Sequence, residues 1–161
     1  MNWTRKNFLT LLVVTVATVS GSAPAHAVVS CSIASSGVAF GTYNPTSLVD
    51  NTSTGSVDVS CNGTLLQIVG FSVSLSSGNG TMTTRKLVSG ANNLTYNLYL
   101  DPAYMVRFGD GTMGSQTTSA SFTLAVSPTV RSITVYGRLP AGQTTATVGT
   151  YSDTLVMTVT F

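Results

Sequence analysis

Alternation of apolar and polar positions dominates the chain, and it is strictest at the C-terminal end. From Thr154 to Phe161 there is no glycine, proline or charge. Leu155, Met157, Val159 and Phe161 fall on one face, and Thr154, Val156, Thr158 and Thr160 on the other. A period of two is the signature of a strand with one face buried. Most domains fray at their termini, so a terminal strand this regular needs neighbours on its flanks. If one neighbour is absent from the chain, another protein must supply it. The plainer reading is a closing strand inside a finished sandwich, and this stretch alone favours it.

The same period recurs upstream. Cys31–Ile33 and Val38–Phe40 read as a broken first strand, turned by Gly41-Thr42-Tyr43-Asn44-Pro45. Ser56–Cys61 alternates through Val57, Val59 and Cys61, and Asn62-Gly63 is a strong turn signal. Val69, Phe71, Val73 and Leu75 alternate next, as far as the glycine-rich turn at 77–80. Met82–Val88 reads as a short strand, Ser89–Asn93 as a turn, and Leu94, Tyr96, Leu98 and Leu100 line another strand. Gly109-Asp110-Gly111-Thr112 and Gly114 mark a loop, after which Ala120, Phe122, Leu124 and Val126 alternate. Ser132–Leu139 is a strand, Pro140-Ala141-Gly142 turns the chain, and Gln143–Val148 leads into the last strand. No helical stripe of useful length exists; a helical turn is expected only at Asp101–Val106, after Pro102. Short strands at this spacing predict an all-β sandwich.

The N-terminus departs from this pattern. Arg5 and Lys6 precede an apolar run from Phe8 to Val19, and Ala25-His26-Ala27 follows as a small-x-small site. That is the layout of a cleaved export signal. The expected organisation is a signal peptide at 1–27 and one domain at 28–161. The apolar run is short for a bilayer span, and no other stretch qualifies. The chain is expected to be exported without membrane insertion.

Removing the signal changes the charge. The full chain carries a formal +2. Without Arg5 and Lys6, five cations (Arg85, Lys86, Arg107, Arg131, Arg138) balance five aspartates (Asp50, Asp58, Asp101, Asp110, Asp153). No electrostatic footprint for nucleic acid remains. The one histidine, His26, also leaves, and the chain contains no glutamate. A Ser-His-Asp or Cys-His arrangement is therefore impossible, and zinc hydrolysis has no ligand set. No cofactor or metal is expected. Cys31 and Cys61 are the only cysteines. In an exported chain they are expected to pair, closing a loop of about 30 residues.

Two other readings remain open. Tyr99 and Tyr104, among six tyrosines, offer a sugar-stacking surface for a self-contained secreted carbohydrate-binding module. An Asp-based glycoside hydrolase needs two carboxyl groups about 5–9.5 Å apart in a cleft, and Asp101 and Asp110 flank loops.

An ordered set of local motifs points elsewhere. It comprises Cys31, Phe40-Gly41-Thr42-Tyr43-Asn44-Pro45 and Cys61, then Tyr96-Asn97-Leu98-Tyr99 with Asp101, and Gly109-Asp110-Gly111-Thr112. Val135-Tyr136-Gly137-Arg138-Leu139-Pro140-Ala141-Gly142-Gln143 and Gly149-Thr150-Tyr151-Ser152-Asp153-Thr154-Leu155 complete it. In order and spacing the set resembles the spore coat protein U domain family, subunits of archaic chaperone–usher pili and secreted coats. The resemblance implies an incomplete immunoglobulin-like sandwich lacking its final strand and completed by a donated one. It implies a non-enzymatic structural or adhesive subunit of a surface pilus, fimbrium or coat, serving cell adhesion or biofilm. The implied partners are a periplasmic chaperone, an outer-membrane usher, a neighbouring subunit and a surface or glycan receptor. It places the strand-accepting groove along Leu155, Met157, Val159 and Phe161, and the family disulfide at Cys31–Cys61. Only Val28, Val29 and Ser30 would precede Cys31 after cleavage, whereas a donor arm needs about ten residues. The expected role is therefore a tip or capping subunit that accepts a strand without giving one.

Overall fold

A computed structural model describes residues 29–125 and 128–161. The expected signal peptide and Val126 lie outside the described residues. The alternating stretches become eight strands: β1 (Ser30–Ser35), β2 (Asn51–Asn62), β3 (Ile68–Leu75), β4 (Arg85–Ser89), β5 (Asn92–Tyr99), β6 (Thr118–Thr123), β7 (Thr129–Leu139) and β8 (Met157–Thr160). They assemble into a five-stranded sheet, β1-β2-β7-β5-β4, and a three-stranded sheet, β6-β3-β8. Every named strand pairing is antiparallel. The inward positions interleave as one core, with Val57, Val59 and Val135 from one sheet meeting Val69, Phe71 and Val73 from the other. This is an incomplete immunoglobulin-like β-sandwich. Among the described residues, β8 pairs only with β3 and β1 pairs only with β2, so each is a strand with one open edge.

Pairing explains most differences from the sequence-based boundaries. β2 starts at Asn51 rather than Ser56, because β7 accompanies it from Asn51↔Leu139 to Cys61↔Thr129. β4 starts at Arg85, because Thr81 and Thr84 exchange backbone hydrogen bonds in a turn just before it. Asp101–Val106 is a turn rather than a helix. The Asp101 carboxylate accepts from the N–H groups of Ala103, Met105 and Val106, and a side chain that collects these donors replaces the helical ladder. Regular pairing in the last strand narrows to Met157–Thr160, while Ser152 forms a separate bridge to Val88 of β4.

Val38–Phe40 is not a strand. It crosses the mouth of the sandwich, and two glycines make room for it. A Cβ on Gly137 in β7 would lie 2.5 Å from Val38 Cγ1 and 2.8 Å from Phe40 Cζ. One on Gly55 in β2 would collide with the Gly37 carbonyl. Phe40 meets Tyr96 edge-on, with ring centroids 5.8 Å apart.

Cys31 and Cys61 face each other across β1 and β2 and are joined by a disulfide, with Cα atoms 4.1 Å apart. The bond closes a 30-residue separation and fastens the open-edged β1 to the sheet. Replacing both cysteines by serine is expected to lower the unfolding free energy by about 3–4 kcal/mol, measured by urea titration under oxidising conditions. An unchanged midpoint would mean that β1 is held by pairing alone.

Candidate functional site

The alternation of the last strand begins earlier than the apolar run. From Tyr151 to Thr160, odd-numbered residues are half-buried and even-numbered ones exposed. The inward face is therefore Tyr151, Asp153, Leu155, Met157 and Val159. Leu155, Met157 and Val159 pack against the core. Phe161 lies beyond the end of β8 and is 55% exposed.

Two polar clusters hold this segment against the sheet beside it. In the first, the Ser76 N–H donates to the Val156 carbonyl at 2.9 Å, and the Val156 N–H donates back to Ser76 Oγ at 2.8 Å. Ser76 is itself held by Arg85, whose Nη2 donates to the Ser76 carbonyl at 2.9 Å and to the Phe108 carbonyl at 2.9 Å. Arg85 Nη1 donates to Asn97 Oδ1. Arg85 is fully buried (0% exposed). Burial lowers its pKa, and the nearby Tyr96 and Asp153 oppose that shift. An arginine stays protonated in proteins, so carbonyl oxygens from three segments surround a fixed buried cation. In the second cluster, the Tyr96 hydroxyl donates to Asp153 Oδ2 at 2.7 Å. Asn79 donates to Asp153 Oδ1 through its backbone N–H (2.9 Å) and its Nδ2 (3.0 Å). Burial, reinforced by the Asp153 bond, pushes the Tyr96 hydroxyl far above its ordinary pKa.

A cleft of about 440 Å³ opens between the open edges of β1 and the last strand segment. Ile33 and Ser35 of β1 form one wall, Leu155 and Met157 the other, and Val57 and Val135 the floor. A second cleft, of about 680 Å³, continues past Phe40 toward Tyr43 and Tyr151. Val38, Phe40, Leu87 and Asp153 line both. Apolar walls beneath two open backbone edges suit an extended peptide, which can satisfy the edges and fill the pockets at alternate residues. Of the groove residues expected from the sequence, Leu155 and Met157 line the cleft. Val159 continues the same face against the core, and Phe161 sits outside it. Ile33, Val38, Phe40 and Asp153 were not anticipated as groove residues. For Asp153 the signal was available, two residues before Leu155 and so on the same strand face.

Asp101 and Asp110 serve loops. Hydrogen bonds from Val106, Met105 and Ala103 hold the Asp101 carboxyl below its usual range. Those from Thr112 do the same for Asp110. A glycosidase acid needs the opposite shift, and Asp153 is the only carboxylate lining either cleft. Among the described residues no group of three or more His, Cys, Asp or Glu side chains is placed to hold a metal. Tyr99 and Tyr104 meet edge-on, at 81°, and Arg138 stands over the Tyr104 ring at 5.8 Å. They form no flat platform for a pyranose.

Comparison with known proteins agrees with the motif set. The family profile described as Spore Coat Protein U domain matches residues 15–158. Protein U of Myxococcus xanthus is 31% identical over 132 residues, covering 76% of this chain and 70% of that protein. In the solved chaperone–tip adhesion subunit pre-assembly complex (CsuC–CsuE) from archaic chaperone–usher Csu pili of Acinetobacter baumannii, one chain matches at 20% identity and a TM-score of 0.57. The match covers 83% of this chain and 40% of that one. At that identity the likeness is one of fold.

The polar clusters generate two expectations. Replacing Tyr96 with Phe removes a hydrogen bond to a charged acceptor and is expected to cost about 1–2 kcal/mol of stability in urea. Stability is also expected to plateau between about pH 5 and pH 10. Asp50, whose pKa is lowered by the Ala141 N–H and by Arg138, contributes above its ordinary value of 3.8 and loses that contribution as pH falls below it. Tyr96, with a raised pKa, contributes below its ordinary value of 10.0 and loses that contribution as pH rises further. Thermal melts across pH 2–12 (roughly the range these shifts bear on) check both flanks.

Proposed function

The chain belongs to the Spore Coat Protein U domain family, and from that premise we propose that it is a structural or adhesive subunit of a cell-surface pilus or coat, completed by a strand from another protein. One observation carries the proposal. β1 and β8, in different sheets, both present open edges, and an apolar cleft lies between them. An exposed open edge is normally an aggregation hazard. A subunit whose edge is met first by an export chaperone and then by a neighbouring subunit avoids that hazard. In this reading residues 1–27 direct export and are removed. An outer-membrane usher receives the chaperone-bound subunit, and the disulfide forms in the oxidising periplasm. The strand-accepting wall is Leu155, Met157 and Val159, with Phe161 at its end. The protein acts by assembly and does no catalysis.

A tip or capping position is the finer part of the proposal. Ser30–Ser35 is already paired with β2. With cleavage after Ala27, too little chain precedes β1 to reach into another subunit's groove. Sequencing the N-terminus of the exported protein tests this; a start well upstream of Ala25 overturns the capping role and leaves the subunit role intact.

The central test is complementation. The signal-free chain, purified alone, is expected to be unstable or to aggregate through its open edge. A peptide of about nine residues with alternate valines is expected to rescue it. At a hundredfold excess over Kd, the peptide raises Tm by about 10 °C, read by calorimetry. Leu155→Asp places a charge in the wall and is expected to abolish the rise. A chain that melts reversibly on its own and ignores the peptide overturns the proposal.

A further inference from the structure

Given a strand-accepting cleft, as proposed above, the groove also specifies one polar position in its occupant. Asp153 is the only charged side chain lining either cleft, and it sits where the two meet. Its Oδ1 receives two donors, both from Asn79. Its Oδ2 receives one, the Tyr96 hydroxyl. A carboxylate oxygen has room for two, so Oδ2 has capacity for one more. Arg85 is not the missing partner: its guanidinium is engaged by Ser76, Phe108 and Asn97. An entering strand that covered Asp153 with a valine would strip water from that lone pair and return nothing, which is costly for a charged acceptor.

We propose that the completing strand carries serine or threonine at the inward position facing Asp153, and apolar residues at the inward positions facing Leu155 and Met157. The spacing follows from the strand period, because Asp153, Leu155 and Met157 share one face and a paired strand presents side chains to the same face at the same interval. The short hydroxyl follows from reach. Directly opposed residues on neighbouring strands have Cβ atoms about 4.5–5.5 Å apart. A one-atom extension from Cβ spans that gap to a carboxylate, whereas a longer side chain would have to fold back. The groove therefore reads its partner as a sequence, with apolar pockets setting affinity and the carboxylate setting register. A strand slipped by two residues would bring a valine against Asp153.

Three synthetic peptides of about nine residues test this on the chain refolded from urea with each peptide in excess. One carries valine at every inward position; the others replace the first or the last inward valine with threonine, which covers both strand directions. Affinity is read from the dependence of Tm on peptide concentration. One threonine peptide is expected to bind about tenfold tighter than the all-valine peptide. With that peptide alone, the side-chain carboxyl carbon of Asp153 is expected to shift in NMR spectra of aspartate-labelled protein. Equal binding of all three within about twofold, or an unmoved Asp153 resonance, overturns the inference and leaves the groove standing. Binding of none overturns the groove and the inference with it.

Discussion

The structure turns on a backbone constraint: a β-strand exposes hydrogen-bonding groups on two flanks, and β8 has a partner on only one. Pairing with β3 satisfies one edge over Met157–Thr160. The facing edge, and that of β1 across the cleft, have no strand beside them among the described residues. Buried backbone groups need partners, so a sandwich whose core reaches these edges cannot close over them unaided. The half-burial of Leu155, Met157 and Val159 is the side-chain expression of the same fact. All three touch the core on one side, and Leu155 and Met157 line the cleft on the other.

An open edge is useful only if its wall is rigid, and the wall here is fixed by polar groups in the core. Arg85 is sheltered among carbonyl oxygens of Ser76 and Phe108 and the amide oxygen of Asn97. Removing any of these would strand a buried charge. Ser76 then passes the constraint to Val156 through two reciprocal hydrogen bonds. Tyr96, Asp153 and Asn79 do the same one turn of the pleat earlier. On the opposite wall the Cys31–Cys61 bond holds β1 in register with β2. A pilus or coat subunit of the proposed kind needs this division of labour, with rigid walls and a mouth crossed by the Val38–Phe40 segment.

Much of this was legible in the chain. Valines and leucines at every second residue place β2, β3, β5 and β7 without further information, because a period of two has few other uses. The motif set marked the last strand as a wall, and two of its four named residues line the cleft. The misses share a cause. Val38–Phe40 carries strand-like residues, yet it crosses the sandwich mouth because Gly55 and Gly137, distant in sequence, leave space for it. Asp101–Val106 lost its helical turn to a carboxylate that gathers three N–H groups. Asp153 was not singled out as a wall residue, because Tyr96 and Asn79, which close around it, come from other elements.

The sequence by itself determined the all-β class, most of the strands, the cysteine pair and the inward face of the final segment. These depend on short-range periodicity and on residue types that are present or absent. Only the tertiary structure decided that β8 borders β3 and not β1, that Arg85 is buried with carbonyl oxygens as its partners, and that Asp153 lines the cleft. Those facts depend on which strands become neighbours across dozens of residues, and local alternation carries no record of the neighbour beyond the edge.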